Sequence, residues 1–345
     1  MSKPSQRYRM PAEWEPQAAT WLAWPHNVSH WPDKFERIPP VYAAIIRALA
    51  PTERVHVCVN DAEMEASARN LLDQEGVDSQ MMRNVHFFKI PTDASWSRDH
   101  GPIFVKDASG STVAIDWIFN AWGAKYEPYD LDNAVPQKIA KLFSIPFISP
   151  GIILEGGSID VNGKGSLLTT EQCLLNQNRN SHLSRQEIEG YLSTYLGISH
   201  VLWLKEGIVG DDTDGHIDDI ARFVNPTTIV AAVETNPADV NYPILQENFN
   251  LLKAMRDQDG EPLHIVPLPM PKPVVFQGQR LPATYANFYI ANSVVLVPLF
   301  NCEEDSRAMD ILQSLFPDRT IKGIDCEDLV WGQGTLHCST QQQPL

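Results

Sequence analysis

Apolar residues occur in short runs along this chain, and segments with helical periodicity lie between the runs. Runs rich in Val, Ile, Phe and Thr predict β-strands, because β-branched and aromatic side chains fit a pleated, half-buried surface. The predicted strands are residues 54–59, 85–90, 112–120, 151–160, 166–170, 201–204, 228–233, 264–268, 292–300 and 334–338.

Helices are predicted where apolar positions recur three or four residues apart. The clearest begins at Ser184, which can form a capping box with Glu187, and stops at Gly197, a residue suited to a left-handed turn. The other predicted helices are residues 40–50, 62–74, 135–143, 242–255 and 303–315. Strands and helices alternate without a break in composition, which favours one α/β body, a single domain over residues 1–345.

The alternation divides into about five strand-plus-helix units, a spacing that hints at radial repetition of modules. No sequence identity is visible between the units. A plain open α/β sheet is therefore the alternative architecture.

Composition narrows the class of protein. The content of 43% hydrophobic and 20% charged residues in 345 is that of a folded chain. Apolar runs fall short of the ~20 residues of a membrane-spanning helix. The start lacks the apolar core of a secretory signal, so we expect a cytoplasmic protein without a membrane partner. Five cysteines without CxxC spacing argue against a disulfide framework and against a zinc knuckle.

The net charge of −16 disfavours nucleic-acid partners, which require a basic face. A cationic small molecule would be attracted instead. The same acidity also fits a surface that only keeps the protein soluble. Charge thus permits a cationic substrate without identifying one.

Two glycine-containing stretches place polar side chains where core packing does not require them. In "WSRDHGP", Trp96 and Asp99 precede a Gly-Pro turn that could present them to a cavity, although Asp99 could equally form a surface ion pair with Arg98. In "LEGGSID", Glu155 follows an apolar run and precedes two glycines, where it could face a ligand or remain solvated.

The richest polar stretch is "GDDTDGHIDDIARFV", which contains Asp212, Asp214, His216 and Asp218. A strand over residues 215–223 would place His216 and Asp218 on one face, because alternate strand residues share a face. The stretch indicates either a cation site or a metal site. The calcium-loop spacing fails, since Ala221 stands where a Glu is needed, and zinc would require a second His or Cys nearby.

Cys338 lies in "GQGTLHCSTQQQPL" near the end of the chain. As neighbours on a predicted strand, His337 and Cys338 would point to opposite faces, which makes His337 a poor base for this thiol. A cysteine is nucleophilic only as the thiolate, so His216 from elsewhere in the fold is the better partner. A buried, inert cysteine is the alternative interpretation.

Seven blocks of the sequence together resemble the agmatine deiminase family, which is grouped with the bacterial type of peptidyl-arginine deiminase. The resemblance runs in order over nearly the whole chain. Its blocks are "MPAEWEPQAATWLAWP", "WSRDHGP", "IDWIFNAWG", "ILEGGSIDVNGKGSLLTTEQCLLNQNRN", "GHIDDIARF", "YANFYIAN" and "LHCSTQQQP".

The resemblance implies a pentein fold, a five-bladed α/β propeller with pseudo-fivefold symmetry, and guanidine hydrolysis without a metal or other cofactor. It also suggests a homodimer or larger assembly. By position in the motifs, it implies a nucleophile at Cys338, an acid/base at His216 and guanidinium-binding carboxylates at Asp99 and Asp218. Glu155 and Trp96 match further substrate-binding positions, and one of Asp211, Asp212 and Asp214 would meet the far amine of agmatine.

Two departures from the family pattern stand near these residues. Gln333 interrupts a run that is commonly three glycines, and Thr335 occupies a position that is commonly Asn. The acidic block before Gly215 is also shorter than in some members. A deiminase of free or peptidyl arginine therefore stays open beside an agmatine deiminase, and a Cys-His acyl hydrolase is a further alternative.

Overall fold

The structure, a computed structural model, describes residues 7–345. Its strands are β1 (Tyr8–Arg9), β2 (Gln17–Ala23), β3 (Val55–Val59), β4 (Val85–Lys89), β5 (Ile103–Asp107), β6 (Thr112–Ile115), β7 (Phe147–Ile148), β8 (Asp160–Val161), β9 (Ser166–Thr170), β10 (His200–Leu204), β11 (Ala221–Asn225), β12 (Thr228–Val233), β13 (His264–Pro269), β14 (Val275–Phe276), β15 (Gln279–Arg280), β16 (Tyr289–Ile290), β17 (Val294–Leu299), β18 (Thr320–Asp325) and β19 (Gln341–Pro344).

The helices vary from single turns to three turns or more. They are α1 (Ile38–Leu49), α2 (Ala62–Gln74), α3 (Ser97–His100), α4 (Ala121–Ala124), α5 (Asp130–Asn133), α6 (Val135–Leu142), α7 (Glu171–Leu174), α8 (Arg185–Leu196), α9 (Tyr242–Ala254), α10 (Glu304–Leu315) and α11 (Leu336–Ser339). The single turn α4 is left-handed, since each of its residues has a positive φ.

Several small sheets, rather than one open sheet, make up the β-structure, so the open-sheet alternative is wrong. Their strand orders are β1-β5-β6-β7, β10-β9-β8, β11-β12-β13, β14-β15, β16-β17-β18 and β19-β2-β3-β4. All but the β14-β15 hairpin contain the same unit, in which an antiparallel pair is followed by a parallel neighbour. In each unit, the connection between the two parallel strands contains a helix, as is usual for the crossover that parallel pairing requires. The prediction of about five strand-plus-helix units agrees with this topology.

The last strand returns to the beginning of the chain. Strand β19 pairs antiparallel with β2, with Gln341 opposite Trp21. Because α11 directly precedes β19, this pairing fixes α11 and the Cys338 it carries beside segments that are far upstream in sequence. The site is therefore assembled from distant parts of the chain.

Helix α8 shows how sequence sets an element. Ser184 accepts a hydrogen bond from the Glu187 backbone, the Glu187 side chain returns one to Ser184, and Gly197 ends the helix at φ 74°. The buried face consists of Ile188, Leu192 and Leu196. The prediction for this helix is confirmed, and the five other predicted helices are also present with ends shifted by a few residues.

Three predicted strands are wrong, and all three lie in the polar stretches. Residues 151–160 form turns, a 3-10 turn at Gly156–Ser158 and only the first residue of β8. His216 precedes a 3-10 turn at Ile217–Asp219, so β11 begins later than expected and the argument from alternate strand faces fails. Residues 334–338 end in α11 instead of forming a strand. The predicted strand at 112–120 is shortened to β6.

Within the described residues, no helix is long and apolar enough to cross a membrane.

Candidate active site

A cavity of about 330 Å³ reaches the Cys338 side chain. Two carboxylates line it, Asp99 and Asp212, together with four aromatic side chains: Trp96, Trp122, Tyr126 and Trp331. Such a cavity suits a small cationic molecule with an apolar stem.

Asn287 fixes the position of Cys338. Its Nδ2 lies 3.0 Å from Cys338 Sγ, and its Oδ1 accepts hydrogen bonds from the backbone nitrogens of His337 and Cys338 at 3.0 and 3.3 Å. Thr335 Oγ1 donates to the same Oδ1 at 2.9 Å. These contacts bend the chain into α11, which is why the predicted strand is absent here. Asn287 lies in the block "YANFYIAN", but nothing in the sequence alone distinguished it from its neighbours.

The glycines before Cys338 permit close packing around the thiol. A Cβ placed on Gly334 would lie 2.9 Å from Cys338 Cβ and 3.0 Å from Trp96 Cζ3. A Cβ on Gly332 would lie 2.4 Å from Trp31 Nε1. Side chains at either position would collide with these groups, so the glycines allow the turn before Cys338 to pack closely against Trp31 and Trp96.

Asp99 is buried in α3 and does not form the surface ion pair considered for it. Its Oδ1 accepts from the Gly157 backbone nitrogen at 2.9 Å, and its Oδ2 accepts from Trp122 Nε1 at 3.0 Å. Burial raises the pKa of Asp99, the His216 charge opposes the rise, and Asp218 adds to it. The left-handed turn α4 supplies Trp122 for this contact.

Three of the predicted site residues converge at Gly157. A Cβ built on this glycine would lie 2.6 Å from His216 Nδ1, 2.8 Å from Asp99 Oδ1 and 3.0 Å from Asp218 Oδ2. No other residue could occupy this position without displacing the cluster. The second glycine of "LEGG" therefore has a steric role that the sequence did not reveal.

His216 is fully buried, and its Nδ1 lies 3.7 Å from Asp99 Oδ1. Burial alone would lower its pKa, but the negative charges of Asp99 and Asp218 and a contact with Cys173 outweigh burial and raise the pKa well above the usual value. At neutral pH the imidazole is therefore protonated and can donate a proton.

His337 connects two buried carboxylates. Its Nδ1 lies 2.6 Å from Asp218 Oδ2, and its Nε2 lies 2.9 Å from Glu13 Oε2. The prediction that His337 faces away on a strand is thus wrong, because α11 directs it toward Asp218. The residue is committed to these carboxylates, which leaves His216 as the candidate acid/base.

Asp218 Oδ2 also lies 3.6 Å from Cys338 Sγ. Burial would raise the pKa of Asp218, but His337 and His216 hold it below its ordinary value. By contrast, burial and the neighbouring Asp218, Asp219 and Asp99 raise the pKa of Cys338 well above that of an ordinary thiol. Without a ligand, Cys338 is therefore protonated at neutral pH.

The remaining predicted substrate-binding residues lie in two places. Asp212 lines the cavity and accepts a hydrogen bond from the Tyr126 hydroxyl, and burial raises its pKa to about 6. Glu155 and Asp214 instead both contact Arg179, at 2.5 and 2.9 Å, and neither lines the cavity. Trp96 lines it as expected.

Two buried groups of side chains in residues 7–345 could converge on a cation. They are Glu155, Cys173 and His216, and Asp218, Asp219 and Cys338, each with ligand atoms within 4.8 Å of one another. The second group surrounds the thiol at the cavity. A cationic ligand group could occupy the position beside the thiol instead of a metal ion. The expectation that no metal takes part stays a prediction.

These features define a class of α/β protein in which repeated units hold a buried cysteine and a buried histidine beside several carboxylates. Residues 9–344 match the Porphyromonas-type peptidyl-arginine deiminase family, and the chain belongs to that family. It is 37% identical over 360 residues to the agmatine deiminase of Ectopseudomonas mendocina (strain ymp), with 98% of this chain and 95% of that protein covered.

Solved structures agree with this assignment. The structure of the Enterococcus faecalis agmatine deiminase superposes with a TM-score of 0.91 at 32% identity, covering 98% of this chain and 96% of that one. A cysteine-to-serine variant of the C. Jejuni agmatine deiminase, solved with substrate bound, gives a TM-score of 0.88 at 34% identity and covers 97% and 96%. The resemblance seen in the sequence is confirmed.

Proposed function

We propose that the protein is an agmatine deiminase, which hydrolyses agmatine to N-carbamoylputrescine and ammonia. The observation that carries the proposal is the Cys338 thiol beside buried carboxylates at a cavity with aromatic walls. A guanidinium is a planar cation whose N–H groups pair with carboxylates. Asp99 and Asp218 would bind it and present its central carbon to the sulfur, as proximity catalysis requires.

Substrate binding would also activate the nucleophile. The carboxylates that raise the pKa of Cys338 are those that the guanidinium would neutralise. With the cation bound, the thiol releases its proton to solvent and becomes the thiolate. The free enzyme thus keeps an unreactive thiol, and the substrate generates the reactive one.

In the first half of the reaction, the Cys338 thiolate attacks the guanidinium carbon and forms a neutral tetrahedral adduct. Protonated His216 donates its proton to one amino group, which leaves as ammonia. The carbon–nitrogen bond breaks, and an S-alkylthiouronium cation remains on the sulfur.

In the second half, neutral His216 takes a proton from water while the oxygen attacks the same carbon. The carbon–sulfur bond then breaks, the sulfur departs as thiolate, and the second water proton passes to solvent as the carbonyl forms. Protonated His216 is regenerated, and the Cys338 thiolate and the released ammonia each take up one of the two protons given to solvent. The sum converts a guanidinium and water into a urea and ammonium.

The apolar stem of agmatine would lie along the aromatic wall that includes Trp96. Its far ammonium would meet Asp212, the acidic residue that lines the cavity. Glu155 and Asp214 remain predicted substrate-binding residues. Their shared contact with Arg179 supports a role in holding the loop that carries Asp212.

The proposal extends to the whole molecule. The five repeated units and the pairing of β19 with β2 support a five-bladed α/β propeller closed on itself, forming one catalytic domain of residues 1–345. We further propose a cytoplasmic homo-oligomer that acts on a small cationic substrate without metal, cofactor or nucleic acid.

The test is to incubate purified protein with agmatine, free arginine or a peptide with C-terminal arginine and to measure ammonia. We expect release from agmatine with much higher kcat/KM than from the others. A higher kcat/KM for arginine or for the peptide would show that agmatine is not the preferred substrate. No release from any guanidine would exclude a deiminase.

A further inference from the structure

Gln333 adopts a backbone conformation that glycine would take without strain. It follows the 3-10 turn Leu329–Gly332 and has φ 76° and ψ 11°, in the left-handed region. Glycines flank it on both sides, yet this position carries a long side chain. Residues with a strained backbone of this kind occur mainly at active sites and ligand-binding sites.

The Gln333 side chain lines the same cavity as Cys338. Its Oε1 is buried and has no hydrogen-bond partner within residues 7–345. A buried acceptor without a partner destabilises the free protein. One residue of the cavity therefore carries both backbone strain and an unused acceptor, which together indicate that a ligand donor completes it.

Asp99 already accepts hydrogen bonds from Gly157 and Trp122, and Asp212 accepts one from the Tyr126 hydroxyl. A ligand ammonium has three donors that point in different directions, so a single carboxylate does not meet all of them. Gln333 Oε1 is available to accept one of them.

We propose that Gln333 is a specificity-determining residue whose amide oxygen accepts a hydrogen bond from the ammonium at the far end of a guanidino-alkylamine. The inference rests on the proposed function and adds a second ammonium ligand beside Asp212. The guanidinium end is held by other residues, so Gln333 affects binding of the amine end and hardly affects the chemical step.

The test compares agmatine with n-butylguanidine, which lacks the ammonium. For Gln333→Gly we expect KM for agmatine to rise about tenfold or more, because hydrogen bonds to charged groups are the stronger ones, while kcat changes little. The preference for agmatine over n-butylguanidine should fall by the same factor. Gln333→Met keeps the size of the side chain but lacks the acceptor, so it should show the same rise in KM and the same loss of preference as Gln333→Gly.

The matched control is Gln277→Gly. Gln277 is also left-handed, at φ 49°, but is exposed and does not line the cavity. Gln277→Gly should leave the substrate preference unchanged. Neither Gln277→Gly nor Gln333→Gly should unfold at a lower temperature than the parent. Equal losses on both substrates, or retention of the preference by Gln333→Met, would overturn the proposal.

Failure of the proposed function can be separated from failure of this inference. Calorimetric titration of agmatine into Cys338→Ala, with and without Gln333→Gly, measures binding without turnover. A Kd that rises about tenfold with Gln333→Gly supports the contact even if the parent releases no ammonia. An unchanged Kd overturns it even if the parent is an active deiminase.

Discussion

Asp99 is buried and is held by two donors. The hydrogen bonds from Gly157 and Trp122 aim its carboxylate, while the charge itself is left for a ligand. Asparagine here would turn its NH2 group toward one of these two donors, so some loss of stability is expected whatever the residue does. It would also lack the negative charge that pairs with a guanidinium, which a residue that binds the substrate needs.

We therefore predict that Asp99→Asn lowers kcat/KM for agmatine about tenfold to a hundredfold, since a hydrogen bond to a charged group contributes roughly 1.5–3 kcal/mol. Steady-state ammonia release measures this. The control is Asp310→Asn, an exposed residue of α10, which should retain full activity. Retention of activity by Asp99→Asn would favour an acyl hydrolase, which needs no paired carboxylates.

The Asp212 carboxylate on the cavity wall predicts that substrate binding depends on pH. Its pKa is raised to about 6, so the carboxylate that would bind an ammonium is present above this pH and is lost below it. We expect kcat/KM for agmatine to rise as pH increases through about 6. In Asp212→Asn this rise should disappear. A pH profile unaltered by the substitution would remove Asp212 from the amine site.

At the scale of an element, the 3-10 turn around Gly157 lets three charged side chains meet. We predict that Gly157→Ala abolishes most activity, because the methyl group would lie within about 3 Å of the three groups. It should also lower the free energy of unfolding by about 1–3 kcal/mol.

The control for Gly157→Ala is Gly190→Ala. Gly190 lies in α8, and an added Cβ would meet nothing within 4 Å. Alanine should stabilise this helix by roughly 0.5–1 kcal/mol and leave activity intact. Denaturant titration of both variants, with activity assays, checks the pair. An active, stable Gly157→Ala would show that the cluster tolerates a side chain.

The periodic elements could be predicted from sequence, and the irregular ones could not. Helix α8 carries its own start and stop signals, so local rules suffice for it. The turn before β11 and the helix α11 are set by distant polar partners instead. Asn287 lies about fifty residues before Cys338 in the chain, and no local pattern announces that contact.

Only part of the candidate site could be predicted, because some of its residues act through contacts that no local sequence pattern shows. The motif resemblance identified Cys338, His216, Asp99 and Asp218 as a group, and the structure brings them together. It missed Asn287, whose importance lies in three contacts with α11 and its approach. Separately, the argument from alternate strand faces put His337 on the wrong side, because a strand was assumed where a helix forms.

At the scale of the whole molecule, Glu13 connects segments that are far apart in the chain. It pairs with Arg98 at 3.1 Å, Arg222 at 2.9 Å and His337 at 2.9 Å, all buried. Burial would raise the pKa of Glu13, but these cations hold it well below its usual range. The network joins the N-terminal region, α3, β11 and α11 around the site.

We predict that Glu13→Gln lowers the free energy of unfolding by about 3–5 kcal/mol at neutral pH, because it leaves buried cations unpaired. A depressed carboxylate pKa gives stability that is complete above the ordinary value of 4.5 and is lost as pH falls below it. The parent should therefore lose stability in acid more steeply than Glu13→Gln. Exposed Glu36→Gln is the control and should resemble the parent.

The most direct test of the account is to find the bond between Cys338 and the guanidinium carbon. Protein turning over agmatine is quenched in acid, and its intact mass and peptides are measured. We predict an adduct equal in mass to agmatine less ammonia, on the peptide that contains Cys338, and none in Cys338→Ala. Turnover of agmatine without this adduct, or an adduct on another residue, would contradict the account.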